Sequence, residues 1–191
     1  GVPAALTSLS PLGWWRFGEN DSGTGYTITD QGSVDEDLSL VNTPTFSRSV
    51  PAEDATWNNR SLSFNGTNEY ISTTADDTLA SKSYSFWSKS NDTGGNVVFS
   101  HGNDSGWGIG GTFIFNQSAG EPLLYMEAGT HRYWADNSAQ DDDAWHHHVV
   151  YIDSSAISDC KWYVDGVVQT ALTTTGTDNM DAYVNGLRIG R

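Results

Sequence analysis

The stretch AWHHHVVYID, residues 144–153, followed closely by KWYVDGVVQ, residues 161–169, decides how the fold is read. Three histidines in a row invite a metal site, and the backbone beneath them settles whether one can form. On an extended strand, successive side chains point to opposite faces. His146 and His148 then share one side with Val150 and Ile152, while His147 joins Trp145, Val149 and Tyr151. Three adjacent ring nitrogens cannot converge on one ion. A zinc site built on His146 and His148 would need two further ligands, and no motif supplies them. The run therefore reads as a strand whose histidines are satisfied structurally. In KWYVDGVVQ, Asp165 and Gly166 suit the positive φ angles of a two-residue hairpin turn. Trp162 and Val164 then fall on one face and Tyr163 on the other.

The same alternation recurs in both directions along the chain, in short segments separated by Gly, Asn, Asp and Ser. Such runs span residues 61–73, 83–89, 96–102, 106–115, 122–128, 131–137, 145–153, 160–170 and 186–191. No helical apolar stripe of three or more turns appears; DDTLASK, 76–82, allows a single turn at most. The chain reads as all-β. The connections are too short for helical crossovers, so antiparallel pairing follows, and two packed sheets suit the number of strands better than a small barrel. The first 60 residues read as long surface loops around one or two strands.

Composition narrows the function classes. Nine Lys and Arg against 24 Asp and Glu give a formal charge of −15 in 191 residues. That balance disfavours nucleic acid and anionic membranes as partners, and favours divalent cations. No stretch approaches the roughly 20 apolar residues of a membrane span. The start, GVPAALTSLS, lacks the features of a signal peptide, and its want of an initial Met points to a processed form or an excised piece. Cys160 is alone, so no internal disulfide framework exists, and a quiet thiol is the default. Sequons at Asn20, Asn59, Asn65, Asn91, Asn103 and Asn116 carry little weight in a chain this rich in Asn, Ser and Thr.

Several segments, in order, resemble the laminin G-like branch of the concanavalin A-like lectin and glucanase superfamily. PLGWWRFGENDSG is similar to the first strand of such domains, and SLSFNGTNEYIS to the following pair of strands around an Asn-Gly. SYSFWSKS resembles the next strand, AWHHHVVYID with KWYVDGVVQ the Trp-His-His strand and its Asp-Gly hairpin, and LRIG a late strand. The resemblance implies a two-sheet antiparallel jelly-roll sandwich, as one domain over residues 1–191. Family members continue beyond the LRIG-like strand into a closing strand, whereas this sequence stops at Arg191. A rearranged closing strand, or a piece excised from a longer chain, is the expectation.

The candidate sites divide by chemistry. A retaining glycosidase needs two carboxylates about 5 Å apart, on a strand at i and i+2 or i+4 of one face. The clusters at 35–37, 76–77 and 141–143 lack the superfamily's Glu-x-Asp-x-x-Glu order and read as solvated charge in loops. Glu127 has no acidic partner at suitable spacing. No Gly-x-Ser-x-Gly elbow appears either, so the chain reads as no enzyme. Calcium is the one cofactor the resemblance suggests, through Asn103 and Asp104 in the loop HGNDSGWG and through Glu19 and Asp21 in GENDSG. The competing reading of both is a plain Asn/Asp turn. For sugar binding, which uses exposed rings beside polar groups, Trp107, Tyr133 and Trp134 are the candidates. Alternation sends Tyr133 and Trp134 to opposite faces. Trp87, Trp145 and Trp162, inside apolar strands, read as core.

The function expected is a non-catalytic recognition or adhesion module that binds glycan or a protein surface partner, with calcium as its assistant, outside the cell or on a cell or virion surface. The rival is a structural component of an assembly, such as a virion decoration or tail protein or the stalk of a surface protein, as a homo-oligomer or multi-subunit array. A glycoside hydrolase is the third reading, disfavoured by the carboxylates.

Overall fold

The computed structural model describes residues 8–17, 27–52, 59–74, 81–91, 96–102, 111–116, 122–127, 131–135, 141–153, 159–169, 173–174 and 186–190. For 96, 101–102, 111–116, 122–127, 131–135 and 173–174 it gives the strand and its register. The chain divides into two compact units, Gly1–Thr73 with Gly190–Arg191, and Thr74–Ile189.

The first unit holds β1 (Thr27–Ile28), β2 (Leu38–Val41), β3 (Thr45–Ser47), β4 (Ser61–Ser63) and β5 (Tyr70–Ser72). β2 pairs antiparallel with β1 and β5, and β3 with β4. Ile28, Leu38 and Ile71 are fully buried, each contributing about 1.5–3 kcal/mol. The described part of the first 60 residues thus holds three strands, β1 to β3, where one or two were expected, and two of them contribute to the core. The LSLV of β2 is too short and too closely flanked by charge to stand out by periodicity, yet its Leu38 is core.

The acidic run 35–37 is likewise tied into the structure rather than merely solvated. Asp30, 6% exposed, accepts the backbone N–H groups of Trp14 at 2.7 Å, Gly32 at 2.7 Å and Glu36 at 3.1 Å. Asp37 accepts the N–H of Asp30 at 2.9 Å, and the Glu36 carboxylate accepts the Thr73 hydroxyl at 3.2 Å. Where PLGWWRFGENDSG suggested a first strand, its described part makes a single bridge, Trp15 to Asp30. The Trp15 indole donates to the Glu36 carbonyl at 2.8 Å. Backbone N–H groups of Gln31, Ser33 and Val34 donate to the carbonyls of Trp14, Pro11 and Leu12 alongside these side-chain bonds.

The second unit holds β6 (Lys82–Lys89), β7 (Asn96–Gly102), β8 (Gly111–Asn116), β9 (Pro122–Glu127), β10 (His131–Ala135), β11 (Trp145–Ile152), β12 (Lys161–Val164), β13 (Val167–Val168), β14 (Thr173–Thr174) and β15 (Leu187–Ile189). One sheet runs β15-β7-β8-β9-β10-β14, the other β13-β12-β11-β6. Every described pairing is antiparallel. Each of these strands except β14 falls on a run named from the sequence, although residues 106–110 of the run at 106–115 lie outside the described residues. The two sheets meet through aromatic rings: Tyr84 of β6 packs edge-on against Phe99 of β7 at 4.6 Å, and Phe86 stacks on the same ring at 5.8 Å. Val150, Ile152, Trp162, Val164 and Leu187 complete the buried set. At the hairpin, Asp165 and Gly166 take φ of 49° and 78°, the paired positive values anticipated for Asp-Gly.

Candidate ligand-binding face

The four-stranded sheet β13-β12-β11-β6 has two faces of different character, and its register assigns every side chain to one of them. β11 pairs with β6 along eight positions, His147 opposite Trp87 and His148 opposite Phe86. It pairs with β12 so that Val149 faces Tyr163 and Val150 faces Trp162.

The inward face is closed around His148 and Trp162, with Tyr84 and Phe86 half-buried. His148 is 3% exposed and Trp162 1%. The Trp162 indole N–H donates to His148 Nδ1 at 3.3 Å, which fixes the proton of the neutral ring on Nε2, 3.1 Å from the Ser88 hydroxyl. The imidazole lies between the Phe86 ring, at 5.1 Å, and the Trp162 ring, at 6.0 Å. Both of its nitrogens are used. Burial of a polar ring is tolerated here because each hydrogen-bonding atom has a partner.

The outward face is open. Trp87, Trp145, His147 and Tyr163 are all partly exposed. The rings of Trp87 and His147 meet at 5.0 Å, tilted by 33°, and His147 Nε2 lies 2.9 Å from the Ser85 hydroxyl. Among the described residues, the indole N–H of Trp87, His147 Nδ1 and the Tyr163 hydroxyl have no hydrogen-bond partner. Apolar ring surface thus sits beside polar atoms left for solvent or a ligand. Trp87 and Trp145 were expected in the core, and the structure corrects that. Each is one residue out of phase with the inward set, Trp87 next to Phe86 and Trp145 next to His146, so the pleat turns both outward.

At the hairpin end of β11, His146, at an inward-parity position, forms a carboxylate and imidazole clamp. His146 Nδ1 lies 2.7 Å from Asp165 and Nε2 lies 3.2 Å from Asp142. Asp165 also accepts the His147 backbone N–H at 2.9 Å, and Asp142 that of Ala144 at 2.8 Å. Partial burial disfavours the charged imidazole, yet the bonds from Asp165 and Asp142 outweigh it and raise the His146 pKa. Asp142 is held low, first by the Ala144 N–H and then by His146. For Asp165, burial acts upward, but His146 and the His147 N–H prevail and lower it. Beside them Lys89 pairs with Asp143 at 3.0 Å. The acidic run 141–143 therefore does structural work that its loop-like sequence concealed. Among the described residues, no group of three or more His, Cys, Asp or Glu is placed to hold a metal ion.

The residues expected from sequence are differently placed. Trp107, Asn103, Asp104, Glu19 and Asp21 lie outside the described residues. Tyr133 and Trp134 sit on β10, in register with Tyr125 and Leu124 of β9. The histidine faces are as expected. Cys160 is 3% exposed, and its sulfur accepts the Asp153 N–H at 3.1 Å. The outward aromatic group was missed, although the phase of β6 and β11 carried the signal.

Comparison with known proteins fits this architecture. A laminin G family described as the Concanavalin A-like lectin/glucanases superfamily matches residues 65–191, well over half of the chain. No curated protein sequence matches. Among solved structures, the receptor binding domain of botulinum neurotoxin C/D mosaic serotype has a TM-score of 0.70 at 10% identity, covering 95% of this chain and 43% of that one. The serotype D ligand binding domain, solved in complex with N-acetylneuraminic acid, gives 0.68 at 10%, covering 97% and 44%. The binding domain of Paraclostridial Mosquitocidal Protein 1 gives 0.65 at 12%, covering 92% and 43%. The chain spans less than half the length of each. At these identities the likeness is one of fold, and that fold is the jelly-roll sandwich.

Proposed function

The chain belongs to the Concanavalin A-like lectin/glucanases superfamily, and from that membership we propose that it is a non-catalytic recognition or adhesion module that binds a glycan outside the cell or at a surface. The observation that carries this reading is the contrast between the two faces of one sheet. Inward, the His148 and Trp162 nitrogens bond to neighbouring side chains; outward, among the described residues, the Trp87 indole N–H, His147 Nδ1 and the Tyr163 hydroxyl have no hydrogen-bond partner. Sugar recognition uses that combination, stacking C–H surface on a ring while polar atoms bond hydroxyls.

The neighbours in fold support the class: they are binding domains, one of them in complex with a sialic acid. Calcium is a separable part of the proposal, assigned to the loops of Asn103, Asp104, Glu19 and Asp21. A glycan array probed with the purified chain, with and without chelator, tests both parts. Binding in both conditions supports the module and removes calcium from it; binding lost with chelator supports both. Absence of binding in either condition overturns the glycan reading.

A further inference from the structure

Among the described residues of the second unit, polar atoms without partners gather on one sheet face, and we infer that the outward face of β13-β12-β11-β6, centred on Trp87, His147 and Tyr163, is a subsite for a neutral pyranose chain. The inference rests on the module reading above and deepens it by naming the residues and the ligand class.

Three observations support the site. The first is geometry. Trp87 and His147 form one cross-strand pair, Val149 and Tyr163 the next. Adjacent strands lie about 4.8 Å apart and same-face residues along a strand about 7 Å apart, so Tyr163 stands on the same face one cross-strand pair along from the Trp87–His147 ring contact, with Val149 between them. The second is hydrogen bonding. The Trp87 indole N–H and the Tyr163 hydroxyl can donate, and His147 Nδ1 can donate or accept according to its tautomer. All three lack partners among the described residues. Hydroxyl groups, which both donate and accept, complement that mixture.

The third is charge, and it decides between neutral and acidic sugars. The outward strand positions carry Lys89 and Lys161. Lys89 is balanced by Asp143 at 3.0 Å. Tyr151, the cross-strand partner of Lys161, holds the Asp153 carboxylate at 2.8 Å. A face balanced in this way, in a chain of formal charge −15, offers no net attraction to a sialylated or sulfated ligand. It imposes no penalty on a neutral one.

The test is a printed array of neutral hexose and N-acetylhexosamine oligosaccharides beside sialylated and sulfated ones, followed by calorimetry on the best neutral binder. Trp87→Ala is expected to weaken that binding at least tenfold. Tyr163→Phe, which removes only the outward hydroxyl, is expected to weaken it two- to fivefold while its thermal midpoint stays at the wild-type value. Because Tyr163→Phe retains the ring, it reports on the face even if Trp87→Ala fails to fold. Neutral binding unchanged by both substitutions would overturn this site and leave the module reading standing. Binding confined to acidic glycans would overturn the ligand class alone. Failure to bind any glycan would overturn both.

Discussion

The two faces of the four-stranded sheet contain the same kinds of residue with opposite fates. Inward, one Trp and one His, Trp162 and His148, are buried and bonded to each other. Outward, another Trp and His, Trp87 and His147, touch through their rings and keep polar atoms open. Residue type alone does not separate a structural aromatic from a recognition aromatic. What separates them is phase on the strand and whether each polar atom finds a partner inside the protein.

The comparison breaks most readily at Trp162. Trp162→Ala should destabilise the chain by about 3–5 kcal/mol, from the lost ring and the cavity left behind, read by chemical denaturation. Trp162→Phe keeps much of the ring but leaves His148 Nδ1 without its donor, and should cost about 1–3 kcal/mol. Gly166→Val forces a branched side chain into a φ of 78° and should cost about 1–2 kcal/mol. Outward, Trp87→Ala should cost less than about 1.5 kcal/mol, the worth of a partly exposed aromatic pair. Tyr163→Phe should change stability by less than about 0.5 kcal/mol. Equal losses at Trp87 and Trp162 would erase the distinction between the faces.

The smallest expected effect is that of pH on the clamp. The folded-state pKa of His146 is raised above the ordinary 6.5. Its contribution to stability is fully present below about 6.5 and is lost as pH rises through the raised value. Asp142 and Asp165 are lowered below the ordinary 3.8. Their contribution is full above about 3.8 and is lost as pH falls through the lowered values. The denaturation midpoint should therefore plateau between about pH 4 and 6. His146→Gln should remove the decline on the alkaline side, and an unchanged alkaline decline would show that the clamp is not its source.

The strands of the second unit were legible because Ser, Asp and Gly separate clean alternating runs, and because Asp165 and Gly166 mark their own turn. The face of each histidine was legible for the same reason. Trp87 and Trp145 were not, since β6 and β11 carry apolar residues on both faces; Val149 and Tyr151 outward look much like Val150 and Ile152 inward. The deciding facts are long-range: Phe86 and Tyr84 meet Phe99 across the sheets, which commits the other parity outward. The structural work of Asp30, Asp142 and Asp165 was hidden too, because it depends on backbone N–H groups and a histidine brought near by folding. The match to the superfamily over residues 65–191 accords with the motifs that suggested it, whereas the described part of the opening motif forms a bridge rather than a strand.

The most direct test of the central claim follows the tryptophan indole N–H resonances by NMR while the best neutral oligosaccharide is titrated into the wild-type chain. The account predicts that the Trp87 resonance shifts progressively to saturation while the Trp162 resonance, bonded to His148 in the closed face, stays in place. A saturable titration that leaves the Trp87 resonance unmoved would contradict it.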